Sequence, residues 1–218
     1  LDLVRAEWRK YNISFMEGGE RITIPEATDG TFEISSVNIE ENSGKEPVNY
    51  VLPPGFTRIT DPTNPQLRQL NEQSMVLRVQ DLEDGDARAA FRNVNLDIRQ
   101  YRRLRMEVHA EALIGQYLSD NELTAFIRIG SDYKSNFYEY ELPLKLTAPG
   151  KYDNKSDKSR IFVWPEENSF NIDLSVFQEA KQERNKRMQE PGSSLSVSDV
   201  FVYVNEGHRI SVSGNPNL

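Results

Sequence analysis

The chain of 218 residues carries 26 Lys and Arg against 34 Asp and Glu, has a net charge of −8, and contains no Cys. These totals allow one large or two small domains, exclude disulfides, thiolate metal sites and Cys nucleophiles, and disfavour a nucleic-acid partner, whose phosphates need a basic face. No apolar stretch approaches the roughly 18 residues of a membrane-spanning helix. We therefore expect a soluble domain that binds no nucleic acid.

Short alternating strands account for most of the chain. Residues 4–15 and 31–41 read as strands, and "MVLRVQDL" and "LRMEVHAEA", which begin at Met75 and Leu104, alternate apolar with polar side chains. A period of two is typical of a strand with one face in water. The same alternation in "LTAFIRIG" and "FYEYELPLKL", around "GSDYKSN", predicts a hairpin, and Pro143 predicts an edge position or a bulge for its second strand. "DVFVYV" and "RISVSG" predict a further hairpin.

The stretch "LEDGDARAAF", which starts at Leu82, groups three acidic residues around Gly85. A calcium loop would need about six to eight converging oxygen ligands, and the spacing of an EF-hand is absent. Asp84, Gly85 and Asp86 suit a tight turn, because Gly tolerates positive φ and Asp accepts backbone hydrogen bonds. A turn between two strands is the preferred interpretation, with a metal site as the alternative.

One segment has a helical pattern. Strong helix formers run from Gln178 to Gln189, preceded by Asp173 or Ser175 as a possible N-cap and followed by a Pro-Gly stop. Its apolar stripe is thin, so we predict a surface helix lying on a sheet. The residues assigned to its solvated face are Lys181, Glu183, Arg184, Lys186 and Arg187.

The predicted fold class is mainly β: an antiparallel β-sandwich, of jelly-roll or galactose-binding-like type, with one surface helix near 173–189. We expect residues 1–50 to form N-terminal strands that belong partly to a neighbouring unit, 51–72 a loop-rich linker, and 73–218 the sandwich domain. The absence of an initiator Met and the turn signal "GNPNL" at the end lead us to expect a fragment of a much larger protein.

Aromatic residues supply the candidate contact surface, which consists of Tyr133, Tyr152 and Trp164. Trp164 lies beside Glu166 and Glu167, a combination that suits a sugar site, but a large aromatic residue next to a proline more commonly anchors a turn. A row of exposed aromatics would favour carbohydrate binding; three buried rings would remove the platform.

Catalytic and metal chemistry has little support in the residues. With 34 acidic residues, some carboxylate pair always reaches glycosidase spacing, so abundance assigns no pair. The only histidines, His109 and His208, lack a spaced partner and are interpreted as solvated or structurally hydrogen-bonded. No catalytic, cofactor-binding or metal residue is predicted, and we expect no enzyme.

Whole phrases of the chain resemble one family. In order, these are "PVNYVLPPGF", "QLNEQSMVLRVQDLEDGDARAAF", "NLDIRQYRRLRMEVHAEAL", "LTAFIRIGSDYKSNFYEYELPL", "VWPEENSFNIDL" and "ISVSGNPNL", together with "RAEWRKY" near the start. They are similar to part of the SprA/Sov family of Bacteroidetes, the outer-membrane translocon of the type IX secretion system, which is needed also for gliding motility.

The resemblance implies a non-enzymatic domain of a giant β-barrel protein in the cell outer membrane, acting as a structural cap, a lining or a partner-docking element. Implied partners are a FadL-like outer-membrane barrel, a plug protein and secreted cargo; membrane contact is expected only through the parent barrel, and no homo-oligomer is expected. In the family, as here, "LEDGDAR" joins two strands. The alternative function is a carbohydrate-binding jelly-roll module, a fold-level analogy drawn from "NLDIRQYRRLRMEV".

Overall fold

The computed structural model describes residues 8–15, 21–22, 31–58, 60, 69, 72–83, 85–94 and 97–216, with the backbone alone at 11–15 and 21–22. Strands dominate these residues and form small antiparallel sheets, with few helices. In chain order the strands are β1 (Arg9–Phe15), β2 (Arg21–Ile22), β3 (Thr31–Asn38), β4 (Gln73–Gln80), β5 (Asp86–Phe91), β6 (Arg103–Met106), β7 (Thr124–Gly130), β8 (Phe137–Pro143), β9 (Phe170–Asp173), β10 (Phe201–Asn205) and β11 (His208–Ser213). The α-helices are α1 (Ile39–Asn42), α2 (Asp157–Val163) and α3 (Ser175–Met188).

The largest sheet has four strands in the order β10-β11-β8-β7. Both predicted hairpins, β7 with β8 and β10 with β11, are confirmed. The alternating side chains meet as predicted, because the row Tyr203, Ile210, Tyr140 and Ile127 runs across all four strands on one face. That face is the core side of the sheet.

The edge position predicted from Pro143 is wrong, because β8 lies between β11 and β7. Pairing of β8 with β11 runs from Phe137 to Glu141 and stops before the proline, whereas β7 continues to pair as far as Pro143. A proline at the last residue of a strand removes no ladder donor on the side where the partner strand has already ended.

The main core lies between the four-stranded sheet, the β6–β9 ribbon and α3. Apolar side chains from these elements are almost completely removed from water: Tyr138, Leu142, Phe170, Ile172, Phe177, Ala180, Ile210 and Val212. The ring of Tyr138 packs on that of Phe177 with centroids 5.3 Å apart, which joins the sheet to the helix. Helix α3 confirms the predicted helix near 173–189 and lies on a sheet, as expected.

The described residues show neither a β-sandwich nor a jelly roll. The remaining strands form separate small sheets, β2-β1-β5, β3-β4 and β6-β9. Alternation identifies a strand and its buried face but carries no information about its pairing partner, and β4 and β5, which follow each other in the chain, pair with β3 and β1. The domain boundaries at 51 and 73 stay predictions.

Several predicted elements differ in extent. The strand predicted from Leu104 ends at Met106, and from there the backbone forms single contacts such as the bond from Thr147 N to Ala110 O at 2.8 Å. The strand predicted over 31–41 ends at Asn38, whose side chain caps α1 by accepting bonds from two backbone N–H groups. The surface helix is not the only one described. Helix α2 begins within "TAPGKYDNKSDKSR", whose turn-forming residues favour a loop, and it has Ser156 as its N-cap.

The turn predicted at "LEDGDAR" is confirmed for the residues described. Asp86 N donates to Glu83 O at 3.0 Å, and Gly85 has a φ of 81°. Asp84 lies outside the described residues. The turn connects β4 to β5, which belong to different sheets, so it redirects the chain instead of closing a hairpin.

Candidate contact surface

A second buried cluster joins residues 48–52 to the end of α2. Val48, Val51 and Leu52 pack with Val163 and Trp164. The indole Nε1 of Trp164 donates to Val51 O at 2.9 Å. The interpretation of Trp164 as a core and loop-anchoring residue is therefore confirmed, and its ring offers no free face for a ligand.

Side-chain amides hold the segment from Asn49 to Leu52 where no sheet ladder does. Asn49 donates through Nδ2 to Tyr152 O at 2.9 Å and accepts from Tyr152 N at 2.6 Å. Asn154 accepts from Leu52 N at 2.7 Å. Each amide supplies the complementary donor or acceptor that a neighbouring strand would provide, which satisfies this buried backbone.

Arg160 fixes the following turn to α2. Its guanidinium donates to three backbone carbonyls: Leu52 O at 2.8 Å, Pro53 O, and Phe56 O at 2.6 Å. The planar guanidinium has five N–H donors spread over three nitrogens and can bind several carbonyls at once, whereas all the donors of a lysine ammonium are on one nitrogen. The segment "NYVLPPGF" is thereby locked against the helix.

An apolar surface lies on the outer side of this locked unit. Ile161 and Phe162 on α2 are each 55% exposed, and Tyr152 stacks on Phe162 with ring centroids 5.4 Å apart. The Tyr152 hydroxyl donates to Ala148 O at 2.7 Å, and partial burial raises the pKa of Tyr152, so the phenol stays neutral. With the exposed Phe56, these residues define what we call the α2 surface.

The stretch that leads into α2 carries more basic than acidic residues, in a chain that is acidic as a whole. Between Lys151 and Arg160 there are four basic residues against Asp153 and Asp157. Arg160 is committed to backbone carbonyls, whereas the side chains of Lys151, Lys155 and Lys158 are exposed. Glu166 and Glu167, which follow α2, are exposed as well. Charges of both signs therefore flank the exposed apolar residues, and a partner must match both.

A family model described as SprA_N, motility related/secretion protein, matches residues 1–218. The chain belongs to the SprA_N family. This confirms the family resemblance seen in the sequence. No curated protein matches the chain. Within the part of the chain that the structure describes, no helix combines the length and apolar character needed to cross a membrane.

The aromatic residues named from the sequence do not form one platform in this SprA_N domain. Tyr152 packs against the cluster that contains Trp164. Tyr133 lies instead in the β7–β8 loop, where its ring contacts Phe91 at 4.8 Å. Trp164 is buried, and Tyr133 and Tyr152 are both half-buried. Of the three, only Tyr152 packs on an exposed aromatic ring, that of Phe162.

Glu167 and both histidines of this SprA_N domain have structural partners. A hydrogen bond from Lys145 lowers the pKa of Glu167, which holds this carboxylate ionised, whereas a glycosidase acid needs a raised pKa. His208 bonds to the Tyr140 hydroxyl. Across the described residues, no group of three or more His, Asp or Glu side chains could hold a metal ion.

His109 and Glu111 form a partly buried polar chain behind the α2 surface. His109 Nδ1 lies 2.9 Å from Val163 O, and its Nε2 lies 3.1 Å from Glu111 Oε2. Lys45 donates to the same carboxylate. Burial alone would raise the pKa of Glu111, but the hydrogen bonds from His109 and Lys45 outweigh burial and lower it. These hydrogen bonds connect Lys45, through Glu111 and His109, to the end of α2.

Glu111→Gln is expected to cost about 1 kcal/mol of unfolding free energy at neutral pH, because it removes a charged acceptor from two donors. Since the folded pKa of Glu111 is depressed, its stabilisation is fully present above the unfolded-state pKa of about 4.3. It is lost as pH falls through the folded value. Urea unfolding of both proteins from neutral pH to about pH 3 tests this. The gap should close in acid, whereas the exposed control Glu179→Gln should show no such gap; a gap independent of pH would contradict the prediction.

Sequence reasoning missed Ile161, Phe162 and Arg160. The sequence contains a signal for this helix: Ser156 followed by Asp157 is typical of a helix start, and the apolar run "IFVW" begins about one helical turn later. The many turn-forming residues of "TAPGKYDNKSDKSR", which ends at Arg160, favour a loop instead.

Proposed function

We propose that this SprA_N domain is a non-enzymatic structural and partner-docking element of the outer-membrane translocon of type IX protein secretion and gliding motility. Membership of a motility and secretion family supports the assignment. In this proposal the domain belongs to a larger protein of the cell outer membrane. That protein works with a FadL-like barrel, a plug protein and secreted cargo.

The observation that carries the docking role is the α2 surface. Its exposed apolar residues sit on a segment held by Arg160, Asn49 and Asn154, so little conformational freedom is left to lose on binding. Aromatic side chains on a preordered backbone are the usual source of binding energy in protein interfaces. A surface of this kind docks a partner without a large rearrangement.

The acidic balance of the chain supports a second part of the role. A net charge of −8 repels acidic macromolecules and keeps most of the surface solvated. Apolar contacts with other proteins are then confined to particular patches, and passing cargo meets a charged, solvated surface elsewhere. We therefore assign the α2 surface to a permanent component of the translocon and the remaining surface to a passive role.

A double substitution tests the docking role in the full-length protein. Ile161→Asp with Phe162→Asp is expected to weaken association with one translocon component by about thirtyfold, equivalent to about 2 kcal/mol, because both contacts lose their apolar character and gain charge. Quantitative co-purification of the FadL-like barrel and the plug with the tagged protein measures this. Secretion of cargo should fall in parallel.

Val204→Asp is the matched control. Val204 is exposed on β10, a strand of the four-stranded sheet, and the substitution introduces the same kind of charge at one position. It should leave co-purification and secretion unchanged. Normal association and secretion in the α2 double variant, at normal protein abundance, would remove the docking role.

A further inference from the structure

A loop over residues 112–122 exposes a second set of apolar side chains. Ile114 is 73% exposed and Tyr117 is 97% exposed, and Leu118 beside them is also exposed. Exposed apolar residues are normal when scattered singly, but three within five positions of one loop form a projecting patch. These residues are different from those of the α2 surface. We call residues 114–118 the apolar tip.

The loop that carries the apolar tip is ordered by its own hydrogen bonds. At its base, Asn121 N donates to Leu144 O at 2.8 Å and Leu146 N donates to Asp120 Oδ1 at 2.8 Å. At the tip, Gln116 N donates to Leu113 O at 2.9 Å, across a turn in which Gly115 has a φ of 82°. The side chains of the tip therefore project from a defined backbone.

The charged residues within the loop itself are all acidic. From Glu111 to Glu122 the sequence contains three acidic residues and no Lys or Arg. Asp120 and Glu122 are exposed, and each accepts a backbone hydrogen bond of the loop through a single oxygen. Both carboxylates thus lie beside the tip in contact with water. Any partner that covers the tip must also meet these two charges.

We propose that the apolar tip inserts into an apolar pocket of a partner protein whose rim carries Lys or Arg. Charge selects this occupant over a bilayer, because two carboxylates beside the tip are repelled by anionic lipid headgroups. A cationic rim neutralises both carboxylates while the pocket removes Ile114 and Tyr117 from water. Tyrosine is well suited to such a pocket, since it combines a large apolar ring with a hydroxyl that can remain at the rim.

Site-specific photo-cross-linking in cells tests the proposal on the full-length protein. A benzophenone amino acid at Gln116, which is exposed within the tip, reports what covers the loop. We expect one protein to be captured, with the cross-linked peptide mapping to an apolar pocket bordered by Lys or Arg. The same probe at Glu179, exposed on α3, should not capture that peptide.

Two variants separate the apolar from the charged contribution. Ile114→Ser with Tyr117→Ser should reduce the cross-link at least tenfold. Asp120→Asn with Glu122→Gln keeps the oxygens that accept the backbone bonds and removes only the charges, so it should leave folding unchanged, reduce the cross-link several-fold and abolish its sensitivity to salt. Capture of lipid only, of a second copy only, of a pocket without basic residues, or of nothing would overturn the proposal.

Discussion

Arg184→Ala is expected to lower the free energy of unfolding of this chain by about 3 to 5 kcal/mol, the largest effect of any substitution considered for the helix. Arg184 is 1% exposed although it lies on a helix with a polar sequence. Its guanidinium donates to Gly214 O at 2.6 Å and lies 3.5 Å from Val197 O. Removing it opens a cavity and leaves a buried carbonyl without its donor.

The positive charge of Arg184 is stabilised by the dipoles of backbone carbonyl groups. None of the ion pairs found among the described residues includes it, and its remaining contact is with Asn185 Oδ1 at 3.2 Å. Burial lowers the pKa of Arg184, and the nearby Tyr138 opposes this shift. Arg184→Lys should recover part of the lost stability, because a single ammonium can reach one carbonyl but not the whole set.

Urea unfolding of the two variants beside Arg187→Ala measures the effect. Arg187 lies one turn further along, is more than half exposed, and pairs with Glu183 at 3.1 Å, so its loss should cost no more than about 0.5 kcal/mol. Equal stability of the Arg184 and Arg187 variants would show that the buried guanidinium contributes nothing net to folding. The slope with urea should stay constant if the native state is otherwise intact.

Gly214→Ala is expected to cost about 3 kcal/mol or more, from left-handed backbone strain and a steric clash together. Gly214 has a φ of 65°, and a Cβ at this position would lie 2.1 Å from Ser135 O and 2.4 Å from Asn136 Oδ1. The first contact is with backbone, so it cannot be relieved by rotating a side chain. The β7–β8 loop would have to move away from the end of β11.

Gly192→Ala separates strain from clash. Gly192 has a φ of 83° and open space where its Cβ would be, so only the backbone strain of about 1 to 2 kcal/mol should appear. Thermal unfolding of both variants gives the difference. If Gly214→Ala costs no more than Gly192→Ala, the loop and the end of β11 do not pack as closely as the structure shows.

The two sites meet at one place, because Gly214 supplies the carbonyl that Arg184 binds. Asp132 holds the β7–β8 loop, which packs against Gly214: its Oδ1 accepts from Lys134 N at 2.9 Å and Ser135 N at 2.6 Å. Asn136 bonds through its side chain to the same carboxylate, and together these bonds lower the pKa of Asp132 to about 2. The α3 helix, the β7–β8 loop and the end of β11 thus stabilise one another, and effects at Arg184 and Gly214 should not be additive.

The function was indicated more by segments that resemble a known family than by the chemistry of individual residues. No catalytic pattern emerged from the residues, and the family match rests on the whole chain. Of the contact residues, Trp164 was correctly interpreted as an anchor, whereas the α2 surface required the structure. Ile161 and Phe162 are apolar residues whose types alone do not indicate an exposed position. Their exposure follows from Val163 and Trp164 taking the buried positions.

The sequence by itself determined the local structure of this protein. The hairpins around residues 131–136 and 206–207 and the helix from Ser175 follow from side chains and turn residues that are consecutive in the chain. Such signals act over a few residues, so these elements can be predicted without knowing which distant residues they contact. The same holds for the Gly85 turn.

The tertiary structure alone decided which strands pair and which polar residues are buried. Helical periodicity placed Arg184 with the solvated lysines, and only the end of β11, 30 residues away, turned its position into a buried one. Likewise, β4 pairs with β3 and not with β5 because of the surfaces that meet, not because of its own alternation. Burial is a property of two surfaces, and a pattern within one segment describes only one of them.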